Sequence, residues 1–197
     1  RILPPEDPEA LDRAAASVEQ YQWVIFEGAG AVTRFLAALA RGPRDLRALG
    51  RVRLGALGPS TAEHLSARGI KADVVVPDYR GDRIGNALMG DADLRGQRVL
   101  IVRPDHLHDL LAQDLSAQGA DVTDLVAYRS TAAPPDAPAS QILYRMLLDG
   151  VIDAVTFASP SAVSRFTEII GAEQTADLLG TTVVAAIGPV TAAAARK

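Results

Sequence analysis

Two segments of the chain carry the same short motif, Gly58-Pro59-Ser60-Thr61 and Gly188-Pro189-Val190-Thr191, each directly after an apolar run. Glycine permits a sharp turn and proline pre-sets φ for a first helical residue, so each motif reads as a strand running into a helix. The N–H groups that follow are expected to point out of the helix start, where they and the hydroxyls of Thr61 and Thr191 favour an anion. Either copy alone is an ordinary helix start; two in matching positions describe a cleft lined by paired anion sites. A third such turn is Phe157-Ala158-Ser159-Pro160-Ser161, with Ser159 or Ser161 as helix cap. The candidate binding residues are therefore Gly58, Ser60, Thr61, Ser159, Ser161, Gly188 and Thr191. Tyr128 closes an apolar strand just before a Pro/Ala-rich stretch, where a phenol either packs at an interface or faces a cleft.

Other chemistries lack their residues. The 197 residues contain no cysteine, which excludes disulfides, zinc–thiolate sites and cysteine nucleophiles. His64, His106 and His108 assemble into no metal set and no Ser/His/Asp order. Gly28-x-Gly30 after a strand resembles a dinucleotide loop, but Thr33 stands where a third Gly or Ala is needed, and no acid ends a strand about 20 residues on. The net charge of −4 and pI near 5.4 speak against nucleic acid as a partner. The densest arginine stretch, Arg41–Arg53, is interrupted by Asp45 and carries core-like Leu46 and Leu49. No run approaches the roughly 18 apolar residues of a membrane span, and no signal peptide opens the chain. The expectation is a soluble, cytoplasmic protein.

Elements able to hold these turns alternate along the chain. Strands are expected at Trp23–Phe26, Val52–Leu57, Ala72–Val76, Arg98–Val102, Val122–Ala127, Asp153–Phe157 and Thr182–Ile187. Between and around them come helices, among them Ala31–Ala40, Ser60–Arg68, Asp82–Met89, Asp105–Gln118, Ser161–Ile170 and Val190–Lys197. Asp7-Pro8 opens a helix before the first strand. Short buried strands alternating with helices make this an α/β protein with parallel sheets. At 48% hydrophobic residues the chain can bury a substantial core.

The pattern also repeats. WVIFEGAGAVTRF (Trp23–Phe35) matches AVTFASPSAVSRF (Ala154–Phe166) at 6 of 13 positions, offset by 131. VRLGALGPSTA (Val52–Ala62) matches TVVAAIGPVTA (Thr182–Ala192) at 5 of 11, offset by 130. Pro4-Pro5 and Pro134-Pro135 share that offset. The first unit is whole and the second covers only its opening half, so the rest of the second unit is expected after residue 197, before residue 1, or split between both ends.

The segments FASPSAVSRF (Phe157–Phe166), AAIGPVTA (Ala185–Ala192), GALGPSTA (Gly55–Ala62) and GQRVLIVRP…GADVTDLVAYR (Gly96–Arg129) together resemble the uroporphyrinogen-III synthase family over nearly the whole chain. The resemblance implies two flavodoxin-like, three-layer α/β/α domains from a swapped duplication, joined by a two-stranded connector. Residues 1–131 would form the continuous inserted domain and 132–197 part of the discontinuous one, whose remaining strands would lie before residue 1 and after residue 197. It implies a cofactor-independent, metal-free lyase that cyclises hydroxymethylbilane with inversion of ring D, acting as a monomer on a small linear tetrapyrrole, without nucleic acid or membrane. Tyr128 matches the family tyrosine thought to assist loss of the hydroxyl, and Thr61, Thr191 and Ser159 match cleft hydroxyl positions. Glu27-Gly28 departs from the usual Thr-Ser. That departure favours the alternative, a non-catalytic two-lobed module binding a tetrapyrrole or another anion.

Overall fold

The computed structural model describes residues 1–76, 93–105 and 110–196. The expected helix Asp82–Met89, His106 and His108 lie outside the described residues. The chain divides into two compact units, Ile2–Ser130 and Thr131–Lys197 with Arg1.

The first unit opens with β1 (Ile2–Leu3) and α1 (Pro8–Ala16), which starts where the sequence marks it. Asp7 caps α1 by accepting from the N–H groups of Glu9 and Ala10, and Pro8 follows as the first helical residue. Then come β2 (Trp23–Glu27), α2 (Ala29–Arg41), β3 (Arg53–Leu57), α3 (Pro59–Ser66), β4 (Val74–Val76), β5 (Arg98–Pro104), α4 (Leu110–Ala117) and β6 (Asp121–Ser130). The stretch Leu46–Arg51 is a 3-10 turn capped by Asp45; Leu49 is buried but Leu46 is exposed, contrary to its core-like spacing.

The six strands lie in the order β1-β6-β5-β2-β3-β4, all parallel except the short antiparallel pairing of β1 with β6. Numbered along the chain, the parallel strands run 3-2-1-4-5, not the 2-1-3-4-5 of a flavodoxin-like sheet. The reason lies in β2, which is buried at every position and serves both faces. Val24 and Phe26 enter one core with Leu54, Ala56, Leu100 and Val102, under α1, α2 and α3. Trp23 and Ile25 enter the other with Val99 and Ile101, under Leu111 and Leu115 of α4. A strand apolar on both faces belongs in the middle of a parallel sheet with helices on each side. Right-handed crossovers outward from β2 put α2 and α3 on one face; the return to β5 reverses direction and puts α4 on the other. That reversal marks the carboxyl ends of β2 and β5 as the switch point, the place where sheets of this kind leave a crevice for ligands.

The second unit contains α5 (Pro138–Leu148), β7 (Ala154–Phe157), α6 (Pro160–Ile170), α7 (Ala172–Leu178), β8 (Val183–Ala186) and α8 (Pro189–Ala195), with β7 and β8 parallel. It repeats the strand register and an aromatic pair of the first unit. Trp23 pairs with Arg53 through to Glu27 with Leu57, and Ala154 pairs with Val183 through to Phe157 with Ala186, preserving the offsets read in the sequence. Phe26 meets Phe35 edge-to-face at 5.5 Å, and Phe157 meets Phe166 likewise at 5.4 Å. Each such pair contributes about 0.5–1.5 kcal/mol beyond its buried area. No described helix is long and apolar enough to cross a membrane.

Candidate active site

The two Gly-Pro turns are built alike. Gly58 (φ 85°, ψ 149°) and Gly188 (φ 83°, ψ 168°) cap α3 and α8 in a region of backbone space that only glycine occupies at low cost, and Pro59 and Pro189 follow. Ser60 is exposed at the turn, as are Gly188 and Val190. Thr61 and Thr191 are 2% and 3% exposed, and Thr61 Oγ1 donates to the carbonyl of Leu57 at 2.6 Å. The N–H groups of Thr61 and Ala62 both return to the carbonyl of Gly58. This corrects the expectation of outward-pointing donors there: the tight turn leaves Gly58 O within reach of both, so Thr61 is committed to holding strand to helix.

Within the second unit the carboxyl ends of β7 and β8 are adjacent, so Ser159 and Ser161 share an edge with Gly188 and Thr191. Ser159 caps α6, its Oγ accepting from the N–H of Ala162 at 3.1 Å, and lies 3.0 Å from Ser161 Oγ. At the matching place in the first unit stands Gly28, whose φ of 98° and ψ of 153° differ from the extended backbone of Ser159 (φ −159°). The first unit therefore has a turn without a side-chain cap where its twin has a serine. Glu27, just before it, is 2% exposed, so its carboxylate does not stand in the open crevice.

Tyr128 owes its direction to an irregularity in β6. Alternation along that strand puts Leu125 and Ala127 on the α1–α2 face and Val122 on the α4 face, and six residues from Val122 Tyr128 should join it. Instead Tyr128 packs against the core under α1 and α2. The pairing of β5 with β6 slips by one residue between Arg103, opposite Val126, and Pro104, opposite Tyr128. Pro104 has no N–H to offer the ladder, and a bulge beside it re-aims the next side chain.

So turned, the ring of Tyr128 lies on α2. A Cβ on Gly30 would sit 2.9 Å from Tyr128 Oη and Cε1, so only glycine leaves room for the phenol. One turn along, the Arg34 guanidinium stacks 4.6 Å from the ring centroid, with Nη1 donating to Gly30 O at 3.4 Å. Asp105 ties β5 to β6: its N–H donates to Tyr128 O at 3.0 Å, and its carboxylate accepts from the N–H of Ser130 at 3.0 Å. Burial pushes the phenol above its ordinary value of 10; Arg34 opposes the shift and Asp105 adds to it. At neutral pH Tyr128 is a neutral, half-buried phenol beside the first turn of α2.

Sequence reasoning missed Gly30, Arg34 and Asp105 because each acts through a partner distant in the chain. A spacing signal existed only for Gly30 and Arg34, four apart and so on one face of α2. Among the described residues no three His, Asp or Glu side chains are grouped to hold a metal ion. A hollow of about 870 Å³ between α6, α7 and α8 is lined by Val163, Val190 and Ala193 together with Ser164, Thr167 and Glu168, apart from the predicted hydroxyls.

Comparison with known proteins bears on this geometry. The sequence model described as uroporphyrinogen-III synthase HemD matches residues 1–197. A Methanothermobacter thermautotrophicus protein named as a candidate uroporphyrinogen-III synthase is 32% identical over 189 residues, 93% of this chain and 72% of that one. The uroporphyrinogen-III synthase of Chlorobaculum parvum is 28% identical over 184 residues, 90% of this chain and 70% of that one. In fold, the chain is similar over its whole length to 76% of a mutant uroporphyrinogen III synthase from Thermus thermophilus, with TM-score 0.65 and 24% identity.

Proposed function

The chain belongs to the uroporphyrinogen-III synthase family, and we propose that it closes hydroxymethylbilane to uroporphyrinogen III with inversion of ring D. It is a cyclising lyase of tetrapyrrole biosynthesis. The pyrrole nitrogen of the terminal ring expels the hydroxyl, and a proton delivered to that oxygen makes water the leaving group. Tyr128 is the proton donor in this reading. Being neutral, it adds no negative charge beside a substrate with eight carboxylates. The ring proton released when the macrocycle re-aromatises replaces the one donated, so the balance is loss of one water. Ring D must then be presented for attack through a spiro intermediate before the open chain closes to isomer I, which is control by orientation.

The turns at Gly58-Ser60 and at Ser159, Ser161 and Gly188 are the proposed carboxylate contacts, with Thr61 tying its turn to β3 and Thr191 buried at the matching place. The organisation proposed is a duplicated α/β scaffold: residues 1–131 as the continuous domain, and 132–197 as part of a second. The shared register and the paired edge-to-face phenylalanines support duplication. The observation that carries the functional reading is the Tyr128 phenol, turned by the β6 irregularity onto Gly30 and kept protonated by burial.

The deciding experiment incubates the protein with freshly made hydroxymethylbilane and separates the products after oxidation to porphyrins. Isomer III is the expected product; isomer I alone overturns the proposal. A second reading, a tetrapyrrole-binding module without catalysis, draws on Gly28, whose turn lacks the serine cap of its twin. Binding of the bilane with only isomer I formed would select it.

A further inference from the structure

Arg34 has an unusual position for a cation. It is half-buried, and among the described residues no carboxylate lies within ion-pair distance of it. Elsewhere in the same unit arginines at comparable depth are matched: Arg103 is held by Asp124 at 2.6 Å and Arg98 by Asp121 at 3.7 Å. Arg34 is secured by its stack on Tyr128 and one long hydrogen bond to Gly30 O. Those contacts engage one face of the guanidinium and one of its five N–H groups, leaving others to donate. A planar fork held rigid against an aromatic face is pre-organised for bidentate capture of a carboxylate.

We propose that Arg34 is a substrate-carboxylate receptor, fixed against Tyr128 by the glycine gap at position 30, so that one acidic side chain of the tetrapyrrole is anchored beside the phenol. The inference rests on the functional reading above and adds a residue to it. Its chemistry follows from juxtaposition: the cation that locks the phenol also binds the anion, so proton donor and substrate ring are brought into register by one side chain. It also meets an electrostatic need, since the Asp105 carboxylate at the end of β5 already puts a negative charge near the phenol.

The test compares wild type, Arg34→Gln and Arg34→Lys in the full chain, with two readouts. The first is calorimetric binding of the corresponding methylbilane octacarboxylate, which lacks the hydroxyl and cannot cyclise. The second is the KM and kcat for isomer III. For Arg34→Gln, Kd and KM are expected to rise about tenfold, equivalent to about 1.4 kcal/mol. Its kcat should fall by less than about threefold, and Arg34→Lys should recover only part of the binding, since a point charge attracts the anion but lacks the stacked, bidentate fork. Thermal melting confirms that each variant is folded. Unchanged Kd and KM in a folded Arg34→Gln overturn the inference while leaving the function intact. So does a fall in kcat alone, which makes Arg34 a support for Tyr128 and nothing more. A wild type that neither binds the methylbilane nor makes isomer III overturns the functional reading, and this inference with it.

Discussion

Tyr128 shows how one residue's type was legible while its role was not. Its place at the end of an apolar strand was plain from the sequence, and the family resemblance marked it. The side that it faces was not, because that depends on the slipped pairing with β5 at Pro104, a contact made only in the folded sheet. Arg34 and Gly30 stayed hidden for the same reason: they acquire meaning only when a tyrosine about a hundred residues later lands on them. Tyr128→Phe keeps the ring, its packing and the stack under Arg34, and removes only the donor. We expect kcat to drop about a hundredfold, the low end for a general acid because the pyrrole nitrogen already drives departure of the hydroxyl. KM should stay within about twofold, as expected when only transition-state stabilisation is lost. The pH dependence has a definite sign. Burial raises the phenol above 10, so the donor stays protonated through neutrality and is lost only at higher pH. A descending limb of kcat below about pH 9 that vanishes in the phenylalanine variant contradicts this assignment.

At the scale of elements the sequence was most informative where the signal is local. Pro8, Pro59, Pro160 and Pro189 each stand in the first turn of a helix, and Ser159 is the cap that its side chain announces. Strand order was not legible, because nothing local says that β5 returns to pair with β2. The direction of the donors at Gly58 was misjudged, because the tightened first turn brings the N–H groups of both Thr61 and Ala62 back to one carbonyl. The left-handed φ of Gly58 supports a prediction. A Cβ on Gly58 meets nothing within 4 Å, so Gly58→Ala costs only conformational strain, about 1–3 kcal/mol. Gly50 is the matched control. It too has open space around a Cβ, but its φ is not positive, so Gly50→Ala should stay within about 0.5 kcal/mol of wild type. Urea unfolding checks both. Equal midpoints for the two variants contradict the strain argument.

Across the whole molecule, the two units bury their apolar side chains to different extents. The first unit encloses two cores, one on each face of its parallel sheet, and Trp23, Phe26, Phe35 and Ile101 are almost wholly inaccessible. The second has two strands, and Val183, Val184, Ile187 and Val190 along β8 and the turn after it are 41–70% exposed. A two-stranded sheet with one apolar side in water recovers little of the conformational entropy lost on ordering it. The two pieces should therefore behave differently when made separately. Residues 2–130 should unfold cooperatively in urea and keep the Trp23 emission of a buried indole, because every strand that flanks β2 lies inside that segment. Residues 131–197 should associate or bind a hydrophobic dye, because Val183 and Ile187 have no cover of their own. The measurements are tryptophan fluorescence with urea for the first piece, and sedimentation with dye binding for the second. A soluble, monomeric, cooperatively folded 131–197 would show that four helices on two strands suffice, and would remove the physical asymmetry between the twins. A first piece that melts without a transition would show that its two cores depend on the rest of the chain.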